Sequence, residues 1–347
     1  MSKVVALFPA HPAQLWLMLS VKSWVEGVDN SIEFKWFFRD KDVTLSLANS
    51  LGLKGVVVSK ASSGIFGNGF ELTVNIIRCA YYTKKYHIDL WLTKYGCGNI
   101  AARMMGKKSI SFNDDDEDVV PLIARTSYPF ANLLLFPDFT RNSRYSEKST
   151  YYHGLHETAY IRDHAAAASA RAGSRNAMYA LIRISALSAH HDVGHSGISL
   201  DLLDDLVEVL QRRNLRVYIS SESTLPKRFS SMALQVDVSE VHQFLAGASF
   251  YVGDSQTMAI EAALLGVPSL RISDFDRLSV INYLESQGLI FSFSPDDPSI
   301  INFLCSFLDD YDQQNALVAD RVTRTLESFE DTREVFGKAL LELIGIN

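Results

Sequence analysis

The chain has 347 residues, 47% of them hydrophobic, 21% charged and 11% aromatic, and 33 basic against 40 acidic side chains give a formal charge of −7. That length suits about two domains with cores large enough to need no covalent staples, and the composition excludes a largely disordered chain. The acidic balance excludes broad binding to a nucleic-acid backbone and leaves room for one local anion pocket. Cys79, Cys97 and Cys305 form no CxxC pair, which rules out a zinc ribbon or a thioredoxin-like motif and fits a reducing cytoplasm. The first apolar run stops at Phe8-Pro9, too short for a signal peptide. The most apolar later stretch, Leu15–Val25, contains Ser20 and Lys22 and has only about 11 residues where a spanning helix needs ~20.

In chain order the pattern is strand, turn, helix, repeated. Strands are expected at Lys3–Phe8, Phe34–Phe38, Gly55–Val58, Ile88–Thr93, Ser109–Phe112 and Leu133–Phe136, with helices at Leu15–Val25, Leu72–Lys84 and Asn99–Met105. Apolar strands alternating with helices predict βαβ units and a parallel sheet. Between them, 62–69 (SSGIFGNG) reads as a flexible glycine loop without the GK[ST] of a P-loop. The acidic run 114–118 reads as mostly solvated, with Asp114 the exception because it directly follows a strand.

Residues 163–176 (DHAAAASARAGSRN) break the alternation and read as a joint between domains. The pattern then restarts with strands at Tyr179–Ile184, Arg216–Ser220, Phe250–Val252 and Ser269–Ile272. Leu200–Arg213 is the clearest helix, with Leu202, Leu203, Leu206, Val209 and Leu210 on one face and Ser199 as its cap. Ser239 is expected to cap a short helix ending at Ala246, Ala259–Leu265 to be helical, and the tail from Asp309 to be helical and charged.

The most informative stretch is 253–268, GDSQTMAIEAALLGVP, which follows a buried strand and opens a helix. Ser255, Gln256 and Thr257 then lie at a helix N-terminus, where free N–H groups and a partial positive charge suit a phosphate or diphosphate. Glu261, one to two turns further in, is placed to accept hydrogen bonds from a ribose diol. An ordinary βαβ crossover, with Ser255 as cap and Glu261 as a solvated helix residue, fits the same spacing.

This stretch resembles the nucleotide-sugar segment of GT-B-type proteins, among them the lipid II N-acetylglucosaminyltransferase and the UDP-N-acetylglucosamine 2-epimerase families. Asp254 and Ser255 stand at the 2-epimerase offsets from Glu261 and Gly266, with Gln256 and Thr257 where that family has paired glycines. More of the chain is similar to a bacterial and archaeal GT-B-like family of unknown function. The similarity lies in His11-Pro-Ala-Gln14, Ser111-Phe-Asn113-Asp114, the run 152–160 (YHGLHETAY), Arg183 and the run 189–197 (AHHDVGHSG), with Gln14 in place of a second His and His153 in place of a Pro.

The resemblance implies an α/β fold of GT-B type, two Rossmann-like domains facing each other across a cleft. The expected division is an acceptor-side domain over 1–165, a nucleotide-sugar-binding domain over 166–325, and a C-terminal helix over 326–347 packing back on the first. It implies a donor site made by Arg183, the loop residues His190, His191, Gly194, His195 and Ser196, and Asp254, Ser255, Gln256, Thr257 and Glu261. His11, after the first strand, and Asp114 are the candidates for the base that deprotonates an acceptor hydroxyl. Each also has a plain reading, His11 as a loop-fixing side chain and Asp114 as its partner. Three His near Asp192 leave metal binding open in principle, but HHxxxH on a loop is not an established ligand spacing. No metal and no cofactor is expected, the nucleotide sugar being a substrate.

The expected activity is a glycosyltransferase moving a sugar from a nucleotide-sugar donor to a hydroxyl of a surface-polysaccharide or lipid-linked glycan. The alternatives are a hydrolysing nucleotide-sugar 2-epimerase and a non-catalytic binding protein of the same shape. Against epimerisation, 93–98 (TKYGCG) has no acid where the 2-epimerases carry one after the fourth strand. The expected setting is the cytoplasm or the inner face of its membrane, with Trp16, Tyr81, Tyr82, Lys84 and Lys85 offering a peripheral contact if they are not simply core.

Overall fold

A computed structural model describes residues 2–40, 43–60, 65–162, 178–185, 197–275 and 277–346. It divides into two units, one of residues 1–160, 278–280 and 329–347, the other of residues 161–277 and 281–328.

The first unit is a seven-stranded parallel sheet with helices in its crossovers. The chain runs β1 (Val4–Phe8), α1 (Pro12–Val28), β2 (Glu33–Asp40), α2 (Thr44–Ser50), β3 (Gly55–Lys60), α3 (Ile65–Lys85), β4 (Leu90–Thr93), α4 (Gly96–Met104), β5 (Lys108–Phe112), α5 (Pro121–Thr126), β6 (Leu133–Pro137) and β7 (Ser149–Tyr152). The spatial order is β3-β2-β1-β4-β5-β6-β7, so β1 and β4 flank the point where the winding reverses. Every residue of β1 is buried, as a central strand covered on both faces requires. Phe8, Phe37 and Trp91 form an aromatic core, and the Trp91 indole N–H donates to Thr83 Oγ1 at 2.9 Å.

α1 starts three residues earlier than its apolar spacing indicates. His11 caps it, its Nδ1 accepting the Ala13 amide at 3.3 Å, and Pro12 takes the first turn, where no amide is needed. The glycine loop expected at 62–69 is instead helical from residue 65, the long α3 absorbing glycines that cost about 1 kcal/mol each in a helix. β7 is absent from the expected strands; its polar pattern suits its place at the sheet edge.

The second unit is a five-stranded parallel sheet, β12-β11-β10-β8-β9. Its elements are β8 (Tyr179–Ile184), α6 (Leu200–Arg212), β9 (Arg216–Ser221), α7 (Val241–Ala246), β10 (Phe250–Gly253), α8 (Gln256–Leu264), β11 (Ser269–Ile272), α9 (Ser279–Ser286, its first two residues in the first unit), β12 (Ile290–Phe293), α10 (Ile300–Asp309) and α11 (Tyr311–Ser328). Ser199 caps α6, accepting the Leu202 amide at 3.1 Å, and Leu203, Leu206, Val207, Val209 and Leu210 are its buried face. Ser239 does not cap α7; it bonds to Asp237, and the helix starts at Val241 without a side-chain cap. The winding reverses between β8 and β10, so the loops after these two strands leave the sheet side by side. The domain joint read at 163–176 lies outside the described residues.

The chain returns to the first unit as α12 (Thr332–Leu343), which packs on α1. Gly337 faces the Trp24 ring so closely that a Cβ there would collide with Cε3 and Cζ3. Gly337→Ala is therefore expected to cost about 1–3 kcal/mol, read as a lower urea midpoint at unchanged slope. No described helix is long and apolar enough to cross a membrane. Trp16 stacks on Tyr160 and Tyr82 on Tyr86, while Tyr81 is exposed.

Candidate functional site

In a parallel α/β sheet, functional side chains gather at the carboxyl ends of the strands nearest the winding reversal. The candidate side chains of both units follow carboxyl ends of strands, in the first unit from β1 at the reversal out to the edge strand β7.

In the first unit, His11 follows β1, Lys94 follows β4, Asp114 follows β5 and His156 follows β7. Lys94 Nζ lies 3.0 Å from Asp114 Oδ1 and 2.8 Å from Asp115 Oδ2. His156 Nδ1 lies 3.4 Å from the same Asp114 oxygen. The His156 ring is buried, stacked on Tyr152 and edge-on to Phe112 and Phe336, and its Nε2 has no hydrogen-bond partner. Burial works to raise the Asp114 carboxyl, but Lys94 and His156 outweigh it and hold it well below the ordinary carboxylate range. Burial likewise opposes the charge on Lys94, and Asp114 and Asp115 reverse that, holding the ammonium above its ordinary value.

The acidic run is less solvated than its sequence indicates. Asp116 is fully buried; its Oδ1 accepts the Arg141 amide at 2.7 Å, and its Oδ2 the Ser279 amide and hydroxyl at 2.9 and 3.0 Å. Asn113 donates to the Tyr128 hydroxyl at 2.7 Å and accepts the Asp115 amide, fixing the turn that presents Asp114. Like charges settle here because Lys94, Arg141 and amide donors compensate them.

The depressed Asp114 fixes the sign of a pH effect. A carboxyl whose folded value lies below its unfolded one adds stability above the unfolded value, about 3.8, and loses it as pH falls below that. Asp114→Asn is expected to lower the urea midpoint at pH 7, and the gap to the wild type should close as pH is taken from about 4 downward.

His11 and His156 differ in tautomer. His11 Nδ1 accepts an amide hydrogen, so the neutral ring carries its proton on Nε2 and offers a donor there. His156 directs Nδ1 at a carboxylate, so Nδ1 carries the proton and Nε2 the lone pair. Asp114 is a weak base for the reason that depresses it. The sequence reading singled out His11 and Asp114; it contained His156 only within the run 152–160, and four residues separating it from the end of an unrecognised strand gave no sign that it meets Asp114.

In the second unit, Asp254 directly follows β10 and Ser255 caps α8, its hydroxyl accepting the Met258 amide at 3.4 Å. Gln256 and Thr257 form the first turn, with N–H groups left over by the helix geometry. The Asp254 carboxylate does not point at that turn. Its Oδ1 accepts the Ser185 amide at 2.7 Å, and its Oδ2 lies where a Cβ on Gly197 would be 2.6 Å away. Asp254 thus touches residues on both sides of the 186–196 segment. Burial pushes its carboxyl up, opposed by the Ser185 amide. His190, His191, Gly194, His195 and Ser196 lie outside the described residues.

Arg183 ends β8 with Nη1 on Ser220 Oγ at 2.9 Å and Nη2 on Glu222 at 2.5 Å. Glu261 is buried inside α8 and meets His242 Nε2 of α7 at 3.0 Å, so it is not the solvated residue of the plain reading. Among the described residues no three His, Cys, Asp or Glu side chains are grouped to hold a metal ion.

Neither a family model nor a curated protein matches the chain. Solved structures do. S. aureus MnaA in complex with UDP superposes with a TM-score of 0.68 at 11% identity, covering 100% of this chain and 98% of that one. The spinosyn forosaminyltransferase SpnP gives 0.63 at 14%, covering 99% of each. Acinetobacter baumannii MurG gives 0.57 at 11%, covering 99% of this chain and 100% of that one. The fold is of the GT-B type. At these identities the likeness carries the fold, and any activity must come from the side chains.

Proposed function

We propose that this GT-B chain is a glycosyltransferase that takes a sugar from a nucleotide-sugar donor and passes it to a hydroxyl of a glycan or lipid-linked glycan. The observation that carries the reading is the Asp114–His156 pair beside Lys94, a carboxylate-oriented imidazole at the carboxyl end of the first sheet. Transfer to a hydroxyl needs one proton acceptor; on this reading it is His156 Nε2, buried in the ligand-free chain and uncovered on substrate binding, with Asp114 stabilising the imidazolium that forms. Lys94 keeps Asp114 ionised throughout. His11, with its proton on Nε2, serves as a hydrogen-bond donor to substrate.

The second unit is the donor side. The first turn of α8, at Ser255–Thr257, takes the diphosphate, whose charge grows as it leaves, and stabilising that charge is the largest electrostatic task of the reaction. Glu261 turns toward the ribose from the same helix. Nucleotide-sugar chemistry is favoured by the descriptions of similar folds: MnaA holds UDP, a Neisseria meningitidis 2-epimerase holds UDP-N-acetylglucosamine, and SpnP is a forosaminyltransferase.

One observation favours the 2-epimerase as a second reading: several titratable groups, Asp114, His156 and Lys94, meet at one place, and epimerisation needs more than one acid or base. Against it, the residue after β4 is Lys94, a cation tied to two carboxylates and held protonated. The test is product analysis. A nucleotide sugar of the type that binds is incubated with and without glycan acceptors, and the sugar is followed by NMR. Nucleotide release that depends on acceptor, with the sugar glycosidically attached, supports transfer. Release of free 2-epimerised sugar without acceptor supports the second reading.

A further inference from the structure

Arg271 is the largest polar side chain sealed inside the second unit. It sits in β11, has no solvent exposure, and spends one nitrogen on a backbone oxygen, Nη2 donating to Phe275 O at 3.0 Å. Its Nε and Nη1 are buried without a hydrogen-bond partner. A buried guanidinium with two thirds of its nitrogens idle is costly unless an anion completes it.

The sheet register shows what surrounds it. Arg271 pairs with Gly253 of β10 on one side and Ser292 of β12 on the other; Gly253 pairs in turn with Arg183 of β8, and Arg183 with Ser220 of β9. Paired residues of parallel strands share a face. One row across the carboxyl end of the sheet therefore reads Ser220, Arg183, Gly253, Arg271, Ser292. Two arginines flank a glycine, and Tyr251 lays its hydroxyl over that glycine, which leaves no room for a Cβ. Arg183 Nε and Ser292 Oγ are also buried and without partners. The next residues after Gly253 are Asp254 and the α8 N-terminus. Of the charged groups around Arg271, Glu285 favours its charged form through space, with Oε2 on Arg277 at 3.5 Å and Oε1 buried without a hydrogen-bond partner; Arg183 pairs with Glu222, and Asp254 turns its oxygens to Ser185 and Gly197.

We infer that Arg271 and Arg183, with the Tyr251 hydroxyl and the free amides of the α8 first turn, form a seat for a phosphate-type anion, and that Arg271 is a phosphate-positioning residue on β11. The inference rests on the reading of the second unit as the donor side, and deepens it by giving the leaving phosphate a partner on a strand rather than on a loop. A planar guanidinium fork matches two phosphate oxygens at once.

The signature that separates a waiting cation from a structural strut is the sign of the stability change. Arg271→Met removes a buried guanidinium that no carboxylate hydrogen-bonds, so the ligand-free protein is expected to melt at or above the wild-type temperature. A strut would make it melt lower. The second readout is anion protection. Pyrophosphate should raise the melting temperature of the wild type saturably and leave Arg271→Met unmoved. In Arg271→Lys, which keeps the charge and loses the fork, the calorimetric dissociation constants of pyrophosphate and UDP should rise about tenfold or more. Uridine, which lacks phosphate, should bind both proteins alike.

A lower melting temperature in Arg271→Met together with unchanged pyrophosphate affinity in Arg271→Lys would overturn the inference, as would a wild type that pyrophosphate does not protect. The donor reading fails separately. UDP binding that is equal in wild type and Arg271→Lys keeps the donor site and removes Arg271 from it. Pyrophosphate protection that depends on Arg271, with no nucleotide bound, keeps the seat and removes the nucleotide.

Discussion

His156→Asn is expected to lower turnover by about 10²–10⁴ while leaving donor affinity within a factor of about three, because it removes a proton acceptor and no donor contact. Asp114→Asn should lower turnover as well, since the amide no longer selects the Nδ1–H tautomer of His156. His11→Ala should chiefly raise KM and cost some stability, through loss of the cap on α1, at about 1 kcal/mol. These three variants, assayed together for kcat, KM and donor binding, separate the roles. A His156→Asn protein with wild-type turnover, beside a His11→Ala protein that has lost it, would move the base back to the position after β1.

Glu261 gives the second large effect. Its carboxylate is buried and bonded to His242, so Glu261→Ala removes an internal partner and, on the proposed donor reading, a ribose contact with it. Expected losses are about 1–3 kcal/mol in donor binding and a similar amount in stability. Glu261→Gln separates the two. Its amide oxygen still accepts from His242, so stability should recover most of the way, while donor affinity recovers only in part because the neutral group bonds a diol more weakly than a carboxylate does. Full recovery of donor binding in Glu261→Gln would make Glu261 a fold residue. Calorimetry for the ligand and urea unfolding for the fold measure both sides.

The alternation of apolar strands and helices made the two parallel sheets legible, because β1, β4 and β10 are buried on both faces and read as nearly unbroken apolar runs. Edge elements were not legible. β7 is polar and half-exposed, β12 carries Ser292 between two phenylalanines, and α2 and α5 are too short for a periodic signal. The α8 segment was legible because a cap, a helix and Gly266 in the left-handed region follow one another at fixed offsets; Gly266 has φ +76°.

What the sequence hid were meetings at a distance. His156 and Asp114 are separated by 42 residues, His242 and Glu261 by 19, and the register alone brings Arg183 and Arg271 to either side of Gly253. His242 and Arg271 lay in stretches with no motif, and His156 stood inside the run 152–160 with no role of its own. The acidic run misled for a related reason: its compensating charges, Lys94 and Arg141, come from other loops.

The most direct measurement is a calorimetric titration of the purified protein with UDP, GDP, dTDP and CMP, and with sugars of any nucleotide that binds. A ligand at 100 times its dissociation constant adds about 2.7 kcal/mol of stability, so thermal shift serves as the first screen. The account predicts that one of these nucleotides binds one-to-one and that Glu261→Ala weakens it about 10–100-fold. Binding that Glu261→Ala leaves unchanged, or no binding by any of the four, would contradict a donor site at the N-terminus of α8 and leave a protein that has the GT-B fold without its nucleotide chemistry.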